Sequence, residues 1–154
     1  MAAKPSLADQ GYVKIQLSDG GYIETLWAVR LKPGQDRFRL DNSPFFAYRI
    51  SEADIVEGTY IADGFYEFVR VTERSGNRTV RLTFGDEKAD TPEAERVLNG
   101  IIALGCNYEG MFNKLVSITV PPEVLLEDLA SYLISTDLQW EHADPTYVDL
   151  FGDD

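Results

Sequence analysis

Apolar and polar positions alternate over Tyr12 to Leu17 (YVKIQL), the two-residue period of a strand with one buried face. SDGG at 18–21 supplies residues tolerant of positive φ, and YIETLWAVRL at 22–31 resumes the strand pattern, so this stretch predicts a β-hairpin. KPGQD at 32–36 predicts a second turn and FRL at 38–40 a third short strand. DIVEGTYI (54–61), FYEFVRVTER (65–74) and RTVRLTF (78–84) read as three more strands, separated by ADG and SGN turns. Short strands at this spacing predict a curled, antiparallel, barrel-like sheet over 12–84.

From residue 85 the period changes. Thr91 is placed to cap a helix, Pro92 suits its first position, and Glu93 and Glu95 favour the positive end of its dipole. Ala94, Val97, Leu98, Ile101 and Ile102 then recur at helical spacing until Gly105 stops the run. LVSITV at 115–120 predicts a strand. Pro121-Pro122 opens a second helix with Leu125, Leu129, Tyr132 and Leu133 facing inward and Glu123, Glu127 and Ser131 outward. The expectation is an α+β chain forming a single compact domain over 1–154. In it the barrel-like sheet precedes a β-α-β-α, ferredoxin-like half at 85–136 and an acidic, aromatic tail at 137–154.

Between the third and fourth strands lies LDNSPFFAYRIS (40–51), where Phe45, Phe46 and Tyr48 crowd behind Pro44. Asp41, Asn42 and Ser43 are turn formers that would let these rings fold back and plug one end of the barrel. The other reading is a stacking platform for a small ligand or RNA, with Arg37, Arg39 and Arg49 as the nearest cations.

Charge adds an asymmetry that the elements do not show. The net charge is −12, and residues 1–80 carry −1 of it against −11 for 81–154. No Lys or Arg follows Lys114, whereas Glu123, Glu127, Asp128, Asp137, Glu141, Asp144, Asp149, Asp153 and Asp154 do. Such a field repels phosphate backbones and anionic lipid and attracts a basic partner, so neither DNA nor a membrane is expected as a partner. The plainer reading is solubility alone. The opening MAAKPSLADQ has no apolar run, no segment approaches the ~20 apolar residues of a membrane helix, and Cys106 is the only cysteine. A cytoplasmic location is the corresponding expectation.

Catalytic chemistry finds little support. His142, the sole histidine, lies in WEHADP and reads as a solvated loop residue; an enzyme built on it and nearby carboxylates ranks last among the functions considered. Cys106 follows a helix C-terminus, where the dipole raises a thiol pKa, and so reads as a small buried hydrophobe. Glu52 with Asp54, and Asp63 with Glu67, are carboxylate pairs of the kind that twenty-six acidic residues produce by chance. The calcium-loop pattern is incomplete in SDGG and ADG, and neither phosphate-binding glycine motif occurs. No catalytic residue, metal site or cofactor is assigned.

ETLWA (24–28), LDNSPFFAYRIS (40–51), ERSGNRTVR (73–81) and ALGCNYEG (103–110), in this order, resemble an uncharacterised bacterial family, domain-of-unknown-function family 4265. The resemblance runs from about residue 12 to residue 140. The family pattern has a histidine where this chain has Asn77 and a glycine where it has Arg49. The resemblance implies one compact domain and, because small bacterial proteins of this type are often encoded beside secreted toxins, an immunity role.

The closing DLQWEHADPTYVDLFGDD sets Trp140, Tyr147 and Phe151 among acids, the composition of an interface in which rings fill pockets and carboxylates steer encounter; the rings could equally pack on their own domain. The expected function is therefore a non-catalytic immunity protein that blocks a cognate basic toxin domain, of ADP-ribosyltransferase or RNase type. Its expected contact residues are Glu123, Glu127, Asp128, Asp137, Trp140, Glu141, Tyr147 and Phe151. The alternative is a ligand- or RNA-binding regulatory module using Phe45, Phe46 and Tyr48 with Arg37 and Arg39.

Overall fold

The computed structural model describes residues 11–19, 21–85, 89–111 and 114–153. The opening decapeptide, Gly20 of the first turn and Asp154 lie outside the described residues. Strands β1 (Tyr12–Asp19), β2 (Tyr22–Arg30), β3 (Arg37–Leu40), β4 (Ile55–Ala62) and β5 (Phe65–Glu73) form a closed barrel in sequence order. Each consecutive pair is antiparallel, but the barrel closes through a parallel pairing of β1 with β5, Ile15 opposite Tyr66. The sequence pattern predicts an all-antiparallel sheet. An up-and-down chain of five strands must return with its last strand parallel to its first, so closure itself imposes the exception. The alternation in β1 and β2 buries Ile15, Leu17, Leu26 and Ala28 in the barrel, where they meet Phe38 and Val56.

The sixth predicted strand does not join the barrel. β6 (Arg78–Thr83) lies in a second, antiparallel sheet with β7 (Asn107–Met111), β8 (Leu115–Val120) and β9 (Gln139–Asp144), in the order β7-β8-β6-β9. Helices α1 (Pro92–Ala103) and α2 (Leu126–Thr136) pack on one face of this sheet. There Val80, Leu82, Val116, Ile118 and Val120 meet Val97, Ile101, Leu129 and Leu133. The opposite pleat positions, Thr79, Arg81, Ser117 and Thr119, are buried as well. β6 and β8 thus have two buried faces, one apolar and one polar, and the polar face separates two hydrophobic cores.

The first helix follows its sequence signals. Thr91 accepts a hydrogen bond from the Ala94 N–H at 3.2 Å, Pro92 stands at the start, and Gly105 leaves the helix at φ +99°. Ile102, expected inside, is half exposed because the buried stripe is Ala94, Val97 and Ile101. The second helix begins later than predicted. A residue preceding proline avoids the helical region, and 121–124 form a turn closed by the Val124 N–H on the Pro121 carbonyl. Leu125 consequently caps the helix in solvent and Leu126 takes the inward place. The acidic tail is not a tail: residues 139–144 are β9, and Tyr147–Phe151 forms a short helix, α3. No helix among the described residues is long and apolar enough to cross a membrane.

Candidate partner-binding groove

Glu24, buried in β2, accepts hydrogen bonds from the backbone N–H groups of Phe45, Phe46 and Ala47. This clamp curls 45–47 around the carboxylate, with Ala47 turned inward and Phe46 and Tyr48 outward. The predicted aromatic plug is therefore corrected: Ala47 and Ile50 enter the barrel core, while Phe46 stacks on Tyr22 at 5.4 Å near the surface.

The same segment is the bridge between barrel and second sheet. The Ser43 and Ser117 hydroxyls lie 2.6 Å apart, and Ser51 donates to Asp144 at 2.6 Å beside Thr79. Asp54 accepts the Ser51 and Ser75 N–H groups. Arg81, only 2% exposed, donates to the Ala47 carbonyl at 2.8 Å and to Glu141 at 3.0 Å, and lies 4.6 Å from the centre of the Tyr48 ring. A buried guanidinium needs such partners, because its desolvation would otherwise be strongly unfavourable. Arg49 adopts φ +63°, the left-handed region in which glycine is at ease. Its N–H reaches the Ala143 carbonyl at 2.8 Å.

Beyond Arg49 the bridge meets the C-terminal elements. A register shift in β9 pairs Thr79 with Asp144 but Val80 with His142. Asp144 accordingly joins the polar layer, while Trp140 and His142 sit opposite Leu82 and Val80. Burial raises the Asp144 carboxyl above its ordinary pKa, and it does the same to Glu52. After the cis peptide bond between Asp144 and Pro145, Thr146 and Asp149 cap α3 reciprocally. Arg49 grips Asp149 through two hydrogen bonds of 3.1 Å. These bonds, with those from Thr146, hold the Asp149 pKa at about 2.

Between α2, β9 and α3 opens a groove of about 660 Å³, lined by Ala130 and Ile134, by Trp140, Glu141 and His142, and by Tyr147, Val148 and Phe151, with Tyr48 and Thr146 at its edge. Three ring contacts form its aromatic wall: Trp140 on His142 at 5.0 Å, His142 on Phe151 at 6.0 Å and Phe151 on Tyr147 at 4.8 Å. Tyr48 donates to Glu141 at 2.9 Å. His142, expected in a solvated loop, is 9% exposed, and its Nδ1 is buried without a hydrogen-bond partner. Desolvation lowers its pKa below the ordinary value, which favours neutral imidazole.

Four of the eight contact residues chosen from sequence, Trp140, Glu141, Tyr147 and Phe151, line this groove. Glu127 is exposed one helical step before Ala130, and with Ile134 they form a single stripe along α2. Asp137 is the exposed left-handed cap that ends α2. Glu123 precedes the helix and Asp128 is turned about 100° from Glu127, so neither belongs to the stripe, although both are exposed. Sequence reading missed His142, Ile134 and Tyr48 as groove residues. The Thr-x-x-Asp signature at 146–149 could have revealed α3 and hence one wall. Of the alternative platform, Arg37 is paired with Glu73 at 3.8 Å, and among the described residues no hydrogen bond, ion pair or ring contact joins Arg37 or Arg39 to Phe45, Phe46 or Tyr48. Cys106 is buried, its thiol pKa raised by desolvation. Among the described residues no group of three or more His, Cys, Asp or Glu side chains could hold a metal ion.

These features define an α+β protein in which a closed barrel and a helix-covered sheet are joined through a buried polar layer. The chain belongs to the family described as Domain of unknown function (DUF4265), whose model matches residues 24–142. The match takes in Glu24, the 40–54 bridge, Arg81 and β9 through His142, and stops before α3. No curated protein matches the chain. A solved structure described as that of a hypothetical protein from Neisseria gonorrhoeae is similar with a TM-score of 0.67 at 19% identity, over 89% of this chain and 96% of that one. That likeness concerns the fold.

Proposed function

We propose that this protein is a non-catalytic inhibitor that binds a basic protein domain, as an immunity protein binds its toxin, with the C-terminal half as the binding surface. The observation that carries this reading is the convergence of Trp140, Glu141, Tyr147 and Phe151 on one groove inside the half that holds −11 of the net charge. Aromatic anchors seated beside a groove supply short-range affinity, and the surrounding carboxylates raise the encounter rate with a cationic surface. A toxin that handles RNA or NAD must present cations to phosphates, and an acidic surface competes for that cleft. An interface of about 1,600 Å² would suffice. We also read the second layer as a ferredoxin-like split βαβ unit, on the strength of its succession β6-α1-β7-β8-α2-β9 and its strand order.

The test is to express any toxin domain encoded in a neighbouring reading frame in a bacterial host and to measure whether this chain protects it. Glu127→Lys with Asp128→Lys should weaken protection while leaving the fold intact, because both side chains are exposed. Unchanged neutralisation by this double variant would remove the acidic helix from the binding surface.

A further inference from the structure

The groove has a chemical preference narrower than "basic partner". Its lining residues include the aromatic rings of Trp140, Tyr147 and Phe151, the acidic Glu141, and His142, whose Nδ1 is buried without a hydrogen-bond partner. We propose that the groove seats one arginine side chain of the partner, its guanidinium against the rings of Trp140, Tyr147 and Phe151 with an N–H directed to His142, and with the Glu141 carboxylate at the groove's rim attracting its charge. This inference rests on the partner-binding reading and specifies the occupant of its groove.

Three features favour guanidinium over other groups. First, it is planar, weakly hydrated and stacks on aromatic faces, whereas ammonium is a compact, strongly hydrated charge. The protein already uses this chemistry internally: Arg81 lies against Tyr48 while bonded to Glu141, and Arg30 lies 5.0 Å from the Phe38 ring centre and 5.2 Å from that of Tyr66. Second, Glu141 is still about half exposed after accepting from Arg81 and Tyr48, which leaves a partly solvent-facing carboxylate at the groove's rim. Third, a buried, unpartnered imidazole nitrogen is costly until a donor reaches it, and guanidinium carries five N–H donors. Neutral imidazole accepts such a donor, consistent with the depressed His142 pKa. A carboxylate or phosphate ligand would meet Glu141 and the acidic half with the wrong sign. Rotation of the imidazole or a small displacement of α3 would open Nδ1 to the incoming group.

Because His142 is the only histidine, its ring resonances report on this site without ambiguity. The full-length protein would be titrated with acetyl-Gly-Arg-Gly-amide and, separately, with the same peptides carrying citrulline or lysine, while the His142 imidazole signals are followed by NMR. The proposal expects saturable His142 shifts with the arginine peptide and at least five-fold weaker binding of citrulline, which has nearly the same shape without the charge. Lysine should also bind more weakly. Phe151→Ala should reduce arginine binding at least five-fold; α3 is peripheral, so that variant should keep the fold, which its NMR spectrum would verify. Equal binding of arginine and citrulline, or no movement of the His142 signals at millimolar peptide, would overturn the proposal. That failure would leave the acidic-surface reading standing, whereas loss of the charge-reversal effect on protection would remove the acidic surface irrespective of the peptides.

Discussion

Replacing Glu24 by Gln tests the clamp that sets the 45–48 segment and, through it, the edge of the groove. The carboxylate accepts from Phe46 and Ala47 at 3.1 Å each through Oε1 and from Phe45 through Oε2. In Glu24→Gln one amide oxygen can retain two of these bonds, but the NH2 group then faces an N–H donor. The orphaned backbone group costs about 1–3 kcal/mol, and the two surviving bonds lose their charge-assisted share. The expected destabilisation is about 2–4 kcal/mol, which for a chain of this size lowers Tm by roughly 5–15 °C. Urea and thermal unfolding followed by circular dichroism would measure it, and hydrogen exchange should show faster exchange at the 45–47 amides. A change within about 0.5 kcal/mol, with those amides still protected, would refute the clamp, since that is the range of unremarkable surface substitutions.

Gly100→Ala should destabilise despite the better helix propensity: a Cβ there would stand 2.0 Å from the Tyr132 hydroxyl, which bonds the Val97 carbonyl at 3.0 Å. The net loss should be about 1–2 kcal/mol by thermal unfolding, and a gain would show that α1 and α2 are farther apart. His142→Phe should flatten part of the acid limb of stability. With its pKa lowered by burial, His142 contributes stability that is present above its ordinary value of about 6.5 and falls as pH drops toward the folded value. Glu52 and Asp144, raised by burial, act in the opposite sense, losing stability as pH rises through their folded values. Unfolding free energies of wild type and variant between pH 7.5 and 5 should diverge, and parallel profiles would contradict the burial of the imidazole. Asp149→Asn should expose α3 to hydrogen exchange at neutral pH. The wild-type latch should hold from pH 7 to 5, because a pKa of about 2 keeps the carboxylate ionised until far lower pH.

The barrel was legible because its hairpins carry both a two-residue period and the turn residues to match. Thr91-Pro92 and Gly105 likewise marked both ends of α1. What the pattern could not assign was membership. RTVRLTF has the period of a barrel strand, yet both its faces are buried, and only tertiary pairing decides that β6 joins β8 and β9. The strands of 107–111 and 139–144 carry exposed or polar positions and so lacked an apolar signature. Arg81 shows the limit most plainly. An arginine in a strand reads as a solvent-facing position, and nothing local indicates that Glu141 and the Pro44 and Ala47 carbonyls will enclose it. The candidate site was visible as a composition of rings and acids; its groove was not, because α2 and the Tyr48 edge reach it from distant parts of the chain.

The most direct test of the proposed acidic surface is the ionic-strength dependence of the association rate between this protein and a basic domain that it captures, for wild type and for Glu127→Lys with Asp128→Lys. An acidic binding surface requires a fast wild-type rate that falls steeply with salt, and a double variant at least several-fold slower at low salt with a shallower slope. A salt-insensitive rate that the two substitutions leave unchanged would contradict it.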